Sequence, residues 1–181
     1  VMNKLTHMSA RKAASLGVDV LLNKVDNNRE EGMLKLLDIS EKYMSGEDYI
    51  DFAYARELVS NKNSATNKYL NKALDEIDPF VAKTTILNLG FEAMVHGTKT
   101  MHKMKEVHKC NIPWLILMDP TSACNLKCTG CWAAEYGNRL NLTYEEMNRV
   151  VREGKELGIH FYMFTGGEPL VRKDDIIKLC K

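Results

Sequence analysis

Between Asp119 and Gly137 the sequence reads DPTSACNLKCTGCWAAEYG, and three of the chain's five cysteines, Cys124, Cys128 and Cys131, fall within eight residues of it. Thiolates separated by three and then two residues on a short loop suit a soft metal centre. Zinc is one reading, but structural zinc takes four ligands, usually from two separated pairs. Catalytic zinc usually mixes in histidine or a carboxylate. Here a fourth ligand would have to come from Cys110, His108 or the distant Cys180. A 4Fe–4S cluster built for electron transfer and held wholly by cysteine also needs a fourth thiolate. If these three alone bind, one iron keeps a position open for a small molecule. Buried structural thiols are the remaining alternative, and Asn125, Lys127 and Thr129 around them would make a poor core.

A second stretch, TGGEP at 165–169, would by itself be read as an ordinary turn. The elements around it argue otherwise. WLILM (Trp114–Met118) and IHFYMF (Ile159–Phe164) are short, continuous apolar runs, which predict strands buried on both faces. Between them LTYEEMNRVVREGKELG predicts a helix. Thr143 and Glu146 supply its capping box, Leu142 and Met147 a hydrophobic staple, and Gly158 its C-terminal turn. Gly154 lies on the apolar stripe with Met147, Val150, Val151 and Leu157, which predicts close packing against a sheet. KDDIIKLCK then begins another helix. Strand, helix, strand at this spacing is a right-handed βαβ unit with parallel strands. Both strands deliver their following loops to one face, where α/β folds hold ligands. The cysteine loop and TGGEP should therefore converge.

CNLKCTGC followed about one βα unit later by GGEP resembles the radical S-adenosylmethionine superfamily, and the resemblance covers Trp114 to Lys181. It implies that Cys124, Cys128 and Cys131 each hold one iron of a 4Fe–4S cluster. The fourth iron would chelate the amino nitrogen and carboxylate of S-adenosylmethionine. One-electron reduction, by a reductant such as flavodoxin or ferredoxin, would cleave the sulfonium and give a 5′-deoxyadenosyl radical that takes hydrogen from a substrate. Glu168 is a suitable partner for the methionyl ammonium, while Gly166 and Gly167 let backbone approach closely. Many members carry an aromatic residue just before the last cysteine. Here that position is Gly130. Trp132 or Tyr136 would cover the adenine instead, or else pack under the loop.

The remainder sets the frame. From Ser9 to about Lys109 the chain reads as helix after helix, with Ser64 as one N-cap and Asp78-Pro79 starting another helix. Phe80, Thr84, Leu87, Phe91 and Met94 or Val95 should share a face there, and Gly97 should break the helix. The expected fold is α/β: an all-helical region over 1–111, then over 112–181 the first two βα units of a partial TIM-type barrel. Such a barrel needs more chain than the 68 residues from Trp114 to Lys181, so the expectation is an N-terminal portion of a longer enzyme. Twenty-five basic and 24 acidic residues leave a net charge of +1, which gives no field to draw nucleic acid. No apolar run suggests a membrane span, and VMNKLTHMSARKAASLG lacks the apolar core of a signal peptide. A cytoplasmic oxidoreductase is expected, of unreadable substrate. The alternative is a non-catalytic metal-binding module, with zinc or a fully ligated cluster supporting protein interaction. Cys110, Cys180 and His160 read as structural residues.

Overall fold

The computed structural model describes residues 4–23, 29–44, 51–131 and 136–181. The chain divides into two compact units, Val1–Lys99 and Thr100–Lys181. The change of pattern at 111/112 in the sequence comes later than this division, because the helix before the first strand is grouped with the second unit.

In the first unit α1 (Lys4–Asn23), α2 (Arg29–Tyr43), α3 (Phe52–Ser60), α4 (Ala65–Glu76) and α5 (Pro79–Thr85) are followed by a π-helical segment, Ile86–Gly97. The caps are where the sequence puts them. Ser64 accepts from Asn67 N–H, and the Asp78 carboxylate takes the N–H groups of Phe80 and Val81. The Ser45-Gly46 break lies outside the described residues. Two apolar clusters form the core, one of Ala14, Val18 and Leu87, the other of Met44, Phe52 and Val95. Lys83 Nζ lies 2.7 Å from Asp19, tying α5 to α1, and Arg29 Nη2 donates to Asp75 Oδ1 at 2.8 Å, tying α2 to α4.

Gly97 does not break its helix. Thr98, which follows it, keeps helical dihedrals, as does Ile86 at the start of the π-helical segment. Ile86–Gly97 is wound with i→i+5 bonds, and this changes which of its side chains share a face. Leu87, Ala93, Val95 and Gly97 are buried, whereas Phe80 and Met94 are 77% and 51% exposed. Of the expected stripe, Leu87 and Val95 are buried and Phe91 packs against the core, with Val95 rather than Met94 on the face, while Phe80 and Thr84, on α5 before the π-helical winding begins, are exposed. After α6 (Thr98–His108), Lys109 takes a left-handed φ of 54° in the role glycine usually fills.

The second unit centres on two parallel strands, β1 (Leu115–Met118) and β2 (Phe161–Phe164), in the register Leu115↔Phe161 to Met118↔Phe164. Between them runs α7 (Tyr144–Glu156). Thr143 and Glu146 form the capping box, and Gly158 turns at φ 93°. Gly154 is where α7 meets the sheet: a methyl group there would overlap Tyr162 Oη and sit 3.6 Å from Ile116 Cδ1. The Tyr162 hydroxyl lies 3.0 Å from Val151 O and 3.1 Å from Ile159 O, and burial pushes its pKa up to about 12. After β2, a 3₁₀ turn (Pro169–Arg172) leads into α8 (Lys173–Leu179).

The strands are not buried on both faces. α7 lies against Ile116 and Tyr162, but the paired Leu117 and Met163 are 60% and 45% exposed. An apolar run cannot by itself say that a second layer is present. What the described residues form is a βαβ unit, and they do not form a barrel. No helix among them is long and apolar enough to cross a membrane.

Candidate active site

The cysteine loop leaves β1 at Asp119 and returns to α7 at Thr143, and its two ends are stitched into a neck. Ser122 N donates to Leu140 O at 2.8 Å and Leu142 N to Pro120 O at 3.0 Å. Thr121, 1% exposed, donates to Asn141 Oδ1 and accepts from Ala123 N at 2.9 Å. Ser122 Oγ accepts from the N–H groups of Arg139 and Leu140. A buried hydroxyl satisfied on both sides fixes its backbone firmly.

Arg172 clamps the same neck from outside. Its Nη1 donates to Leu142 O at 2.8 Å and Pro120 O at 3.4 Å, one carbonyl from each strand of the neck. Asp175 holds the guanidinium through Nε and Nη2 at 2.8 and 2.6 Å. The sequence reading missed Thr121, Asn141 and Arg172. Only Arg172 has a signal that could have found it, an arginine placed just after the Gly-Gly-Glu stretch.

The two loops converge as the βαβ topology requires. Thr165 N donates to Met118 O, Gly167 N to Thr121 O and Glu168 N to Ala123 O, at 3.0, 3.0 and 2.8 Å. Pairing thus continues past the strand ends and sets Glu168 beside the residue that precedes Cys124. The two glycines make this possible. Gly166 has φ 101°, and a Cβ on it would lie 2.9 Å from both Asp119 Cβ and Thr121 O. A Cβ on Gly167 would overlap the Ala123 carbonyl. Their shown role is to admit the cysteine loop's backbone, a use the sequence reading had reserved for a ligand. Glu168 caps the 3₁₀ turn, with Oε1 accepting from Leu170 N at 2.9 Å.

Cys124, Cys128 and Cys131 are all exposed thiols on this anchored loop. Leu126 N donates to Cys124 Sγ at 3.4 Å. Cys131 N donates to Cys128 O at 3.2 Å, closing a turn whose Gly130 has φ 74° with open space around its Cα. Conformation therefore selects glycine here, which accounts for the missing aromatic. Trp132 lies outside the described residues. Cys110 and Cys180 are also exposed; Cys110 follows the end of α6 and Cys180 caps α8. His160 is half-buried just before β2.

A cleft of about 600 Å³ opens at the carboxyl ends of the strands, lined by Asp119, Ser122, Tyr136, Arg139 and Gly166 among others. Ligands bind at that end of α/β sheets. Tyr136 is the aromatic the structure places there. Three solvent-facing soft donors, on a loop whose base is fixed by the Gly-Gly-Glu segment, fit an iron–sulfur group with three protein ligands.

Comparison with known proteins agrees. Residues 118–181 match the family model of the Radical SAM superfamily. The GTP 3′,8-cyclase of Syntrophomonas wolfei is 40% identical over 75 residues, which cover 39% of this chain and 23% of that protein. The GTP 3′,8-cyclase of Geobacter sulfurreducens is 44% identical over 57 residues, 29% of this chain and 18% of that one. A probable GTP 3′,8-cyclase of Pyrococcus horikoshii is 41% identical over 64 residues, 34% and 21% respectively. The shared stretch thus spans about a fifth of each relative's length. No solved structure matches the chain. With both motifs inside the matched segment, residues 118–181 belong to the radical SAM superfamily of enzymes.

Proposed function

We propose that this chain carries the cofactor-holding part of a radical S-adenosylmethionine enzyme, its βαβ unit being the first two βα units of a TIM-type barrel. The observation that carries the reading is the three-bond backbone zipper that seats Gly166-Gly167-Glu168 against residues 118–123, next to the cysteines. Cys124, Cys128 and Cys131 would hold a 4Fe–4S cluster, and S-adenosylmethionine would bind beside it. The chemistry that pair supplies when bound is one-electron reductive cleavage, giving a carbon radical that takes a hydrogen atom from a substrate.

The chain's own part is to hold and orient. Glu168 spends Oε1 on Leu170 N–H, which leaves Oε2 for the methionyl ammonium. Gly167, pressed on the Ala123 carbonyl, fixes the distance of that carboxylate from Cys124. Tyr136, at the cleft wall, offers a ring to the adenine, a role shared with Trp132. Arg172 keeps the neck of the cysteine loop closed by bonding a carbonyl on each side of it. A reductant such as flavodoxin or ferredoxin would supply the electron. The family match covers residues 118–181, which carry these motifs, while the GTP 3′,8-cyclases are similar over less than half of this chain, so the proposal rests on the motifs and leaves the substrate open.

The test is anaerobic reconstitution with iron and sulfide, followed by electron paramagnetic resonance of the reduced protein with and without S-adenosylmethionine. A cluster signal that shifts on adding the ligand, and fails to shift in Glu168→Gln, is expected. Zinc in place of iron that is lost when Cys124, Cys128 and Cys131 are changed to serine, or loss of the cluster in Cys110→Ala, would overturn the three-cysteine assignment in favour of a non-catalytic metal module.

A further inference from the structure

The helical unit holds a second group of ligating side chains, unrelated to the cysteines. His7 on α1 meets Glu92 and His96 on the π-helical segment, and one ligand atom from each lies within 4.8 Å of the others. His7 Nε2 stands 3.0 Å from Glu92 Oε2. The two imidazole centroids are 4.3 Å apart, and the Phe91 ring stacks on His7 at 6.0 Å. All three residues are partly buried, with the Glu92 side chain only 13% exposed. Arg11 Nη1 donates to the other carboxylate oxygen, Oε1, and its Nη2 to Asn88 Oδ1 at 3.1 Å.

We propose that His7, Glu92 and His96 form a binding site for a divalent transition-metal ion, with Zn²⁺ the best-suited ion. Two imidazoles and a carboxylate are a donor set of catalytic zinc and of non-haem ferrous sites. Bonds of 2.0–2.2 Å at a tetrahedral angle place ligand atoms about 3.4 Å apart. The His7–Glu92 pair already has nearly that spacing, and the remaining separations need to close by no more than about 1.4 Å. The sequence pattern hides the site, because His7 is 85 residues from Glu92. It is the i→i+5 winding around Glu92 and His96 that departs from an ordinary helix, and such winding is frequent at functional sites.

Occupancy has a definite balance. The ion takes the place of the proton between His7 Nε2 and Glu92 Oε2: a neutral His7 ring then carries its one proton on Nδ1, with no net release, whereas an imidazolium gives one proton to solvent, and three protein ligands keep a fourth position for water. Arg11 works against entry. Its charge neutralises Glu92 in the empty cluster and repels an incoming cation. That opposition separates a metal site from a hydrogen-bonded tie, since the tie would be weakened by losing Arg11 and the metal site strengthened.

The test uses the full chain with all five cysteines changed to serine, a mild change because every one is exposed. Zn²⁺ is titrated in competition with a chromophoric chelator, and circular dichroism checks that each variant is folded. One Zn²⁺ per chain is expected, with affinity reduced at least tenfold by Glu92→Gln or His96→Gln and raised several-fold by Arg11→Gln. No stoichiometric binding, or binding indifferent to Glu92→Gln and His96→Gln, would overturn the site. Should those two variants unfold, Arg11→Gln decides: unchanged or weaker Zn²⁺ binding refutes the proposal.

Discussion

At the scale of single residues, the glycines of the candidate site divide by mechanism, and the division is testable. Gly167 needs to lack a side chain because the Ala123 carbonyl occupies the space, and a backbone carbonyl in a hydrogen-bonded segment cannot swing aside. Gly130 has open space around it and is needed only for φ 74°. Gly167→Ala should therefore cost about 2–3 kcal/mol as an overpacking change, and should abolish iron loading by parting the two loops. Gly130→Ala should cost about 1 kcal/mol of left-handed strain and keep much of the iron. Urea unfolding and iron content after reconstitution measure both, and the reverse order would refute the distinction. The sequence shows the cysteines and both motif glycines, since donor type and spacing are local properties. It does not show Thr121 or Asn141. Their importance comes from a neck in which residues 20 apart hydrogen-bond, and no short window contains that pairing.

At the scale of elements, helix α7 was readable almost in full because each of its signals is local: the capping box at Thr143 and Glu146, the turn at Gly158, and the bare stripe position at Gly154. Where local periodicity misled, a neighbour or a change of winding had set the answer. Phe80, in the first turn of α5, stays exposed, the π-helical winding puts Val95 rather than Met94 on the buried face, and among the described residues nothing covers Leu117 and Met163 on the sheet face away from α7. The α7–sheet contact offers a quantitative check. Gly154→Ala would drive a methyl group into Tyr162 Oη, at a cost of about 2–3 kcal/mol. Tyr162→Phe alone should cost about 1 kcal/mol through its lost hydrogen bond. In the double variant the overlapping oxygen is gone, so its cost should fall below the sum of the two by 1 kcal/mol or so. Additive costs would mean that α7 does not meet the sheet at this point.

At the scale of the whole molecule, the two units should part company in acid. In the helical unit burial holds the His96 pKa below its usual 6.5, and the His7 charge adds to this. The unfolded chain therefore binds a proton near pH 6.5 that the folded unit refuses, and stability falls as the pH drops below that value. Glu92 acts in the same direction lower down. Burial alone would raise its pKa, but hydrogen bonds from Arg11 and His7 outweigh burial and hold it below 4.5. The stability it contributes is present above 4.5 and is lost as the pH falls through its folded value. In the second unit the shifted carboxylate is Glu146, also held below 4.5, by the Thr143 backbone N–H and hydroxyl, so its stability is likewise lost only below that pH. Between about pH 6.5 and 4.5 the acid sensitivity of these shifted groups belongs to the helical unit. Both tryptophans, Trp114 and Trp132, lie in the second unit, whereas most of the helix lies in the first. With chelator present to keep metals away, thermal melts followed by far-ultraviolet circular dichroism should shift down across that window. Melts of the same samples followed by tryptophan fluorescence should hold steady until the pH passes below it. If the two probes shift together, the units unfold as one cooperative body and the division between them has no thermodynamic weight. If neither shifts, the His7–Glu92–His96 cluster is not packed as described, and the proposed metal site fails with it.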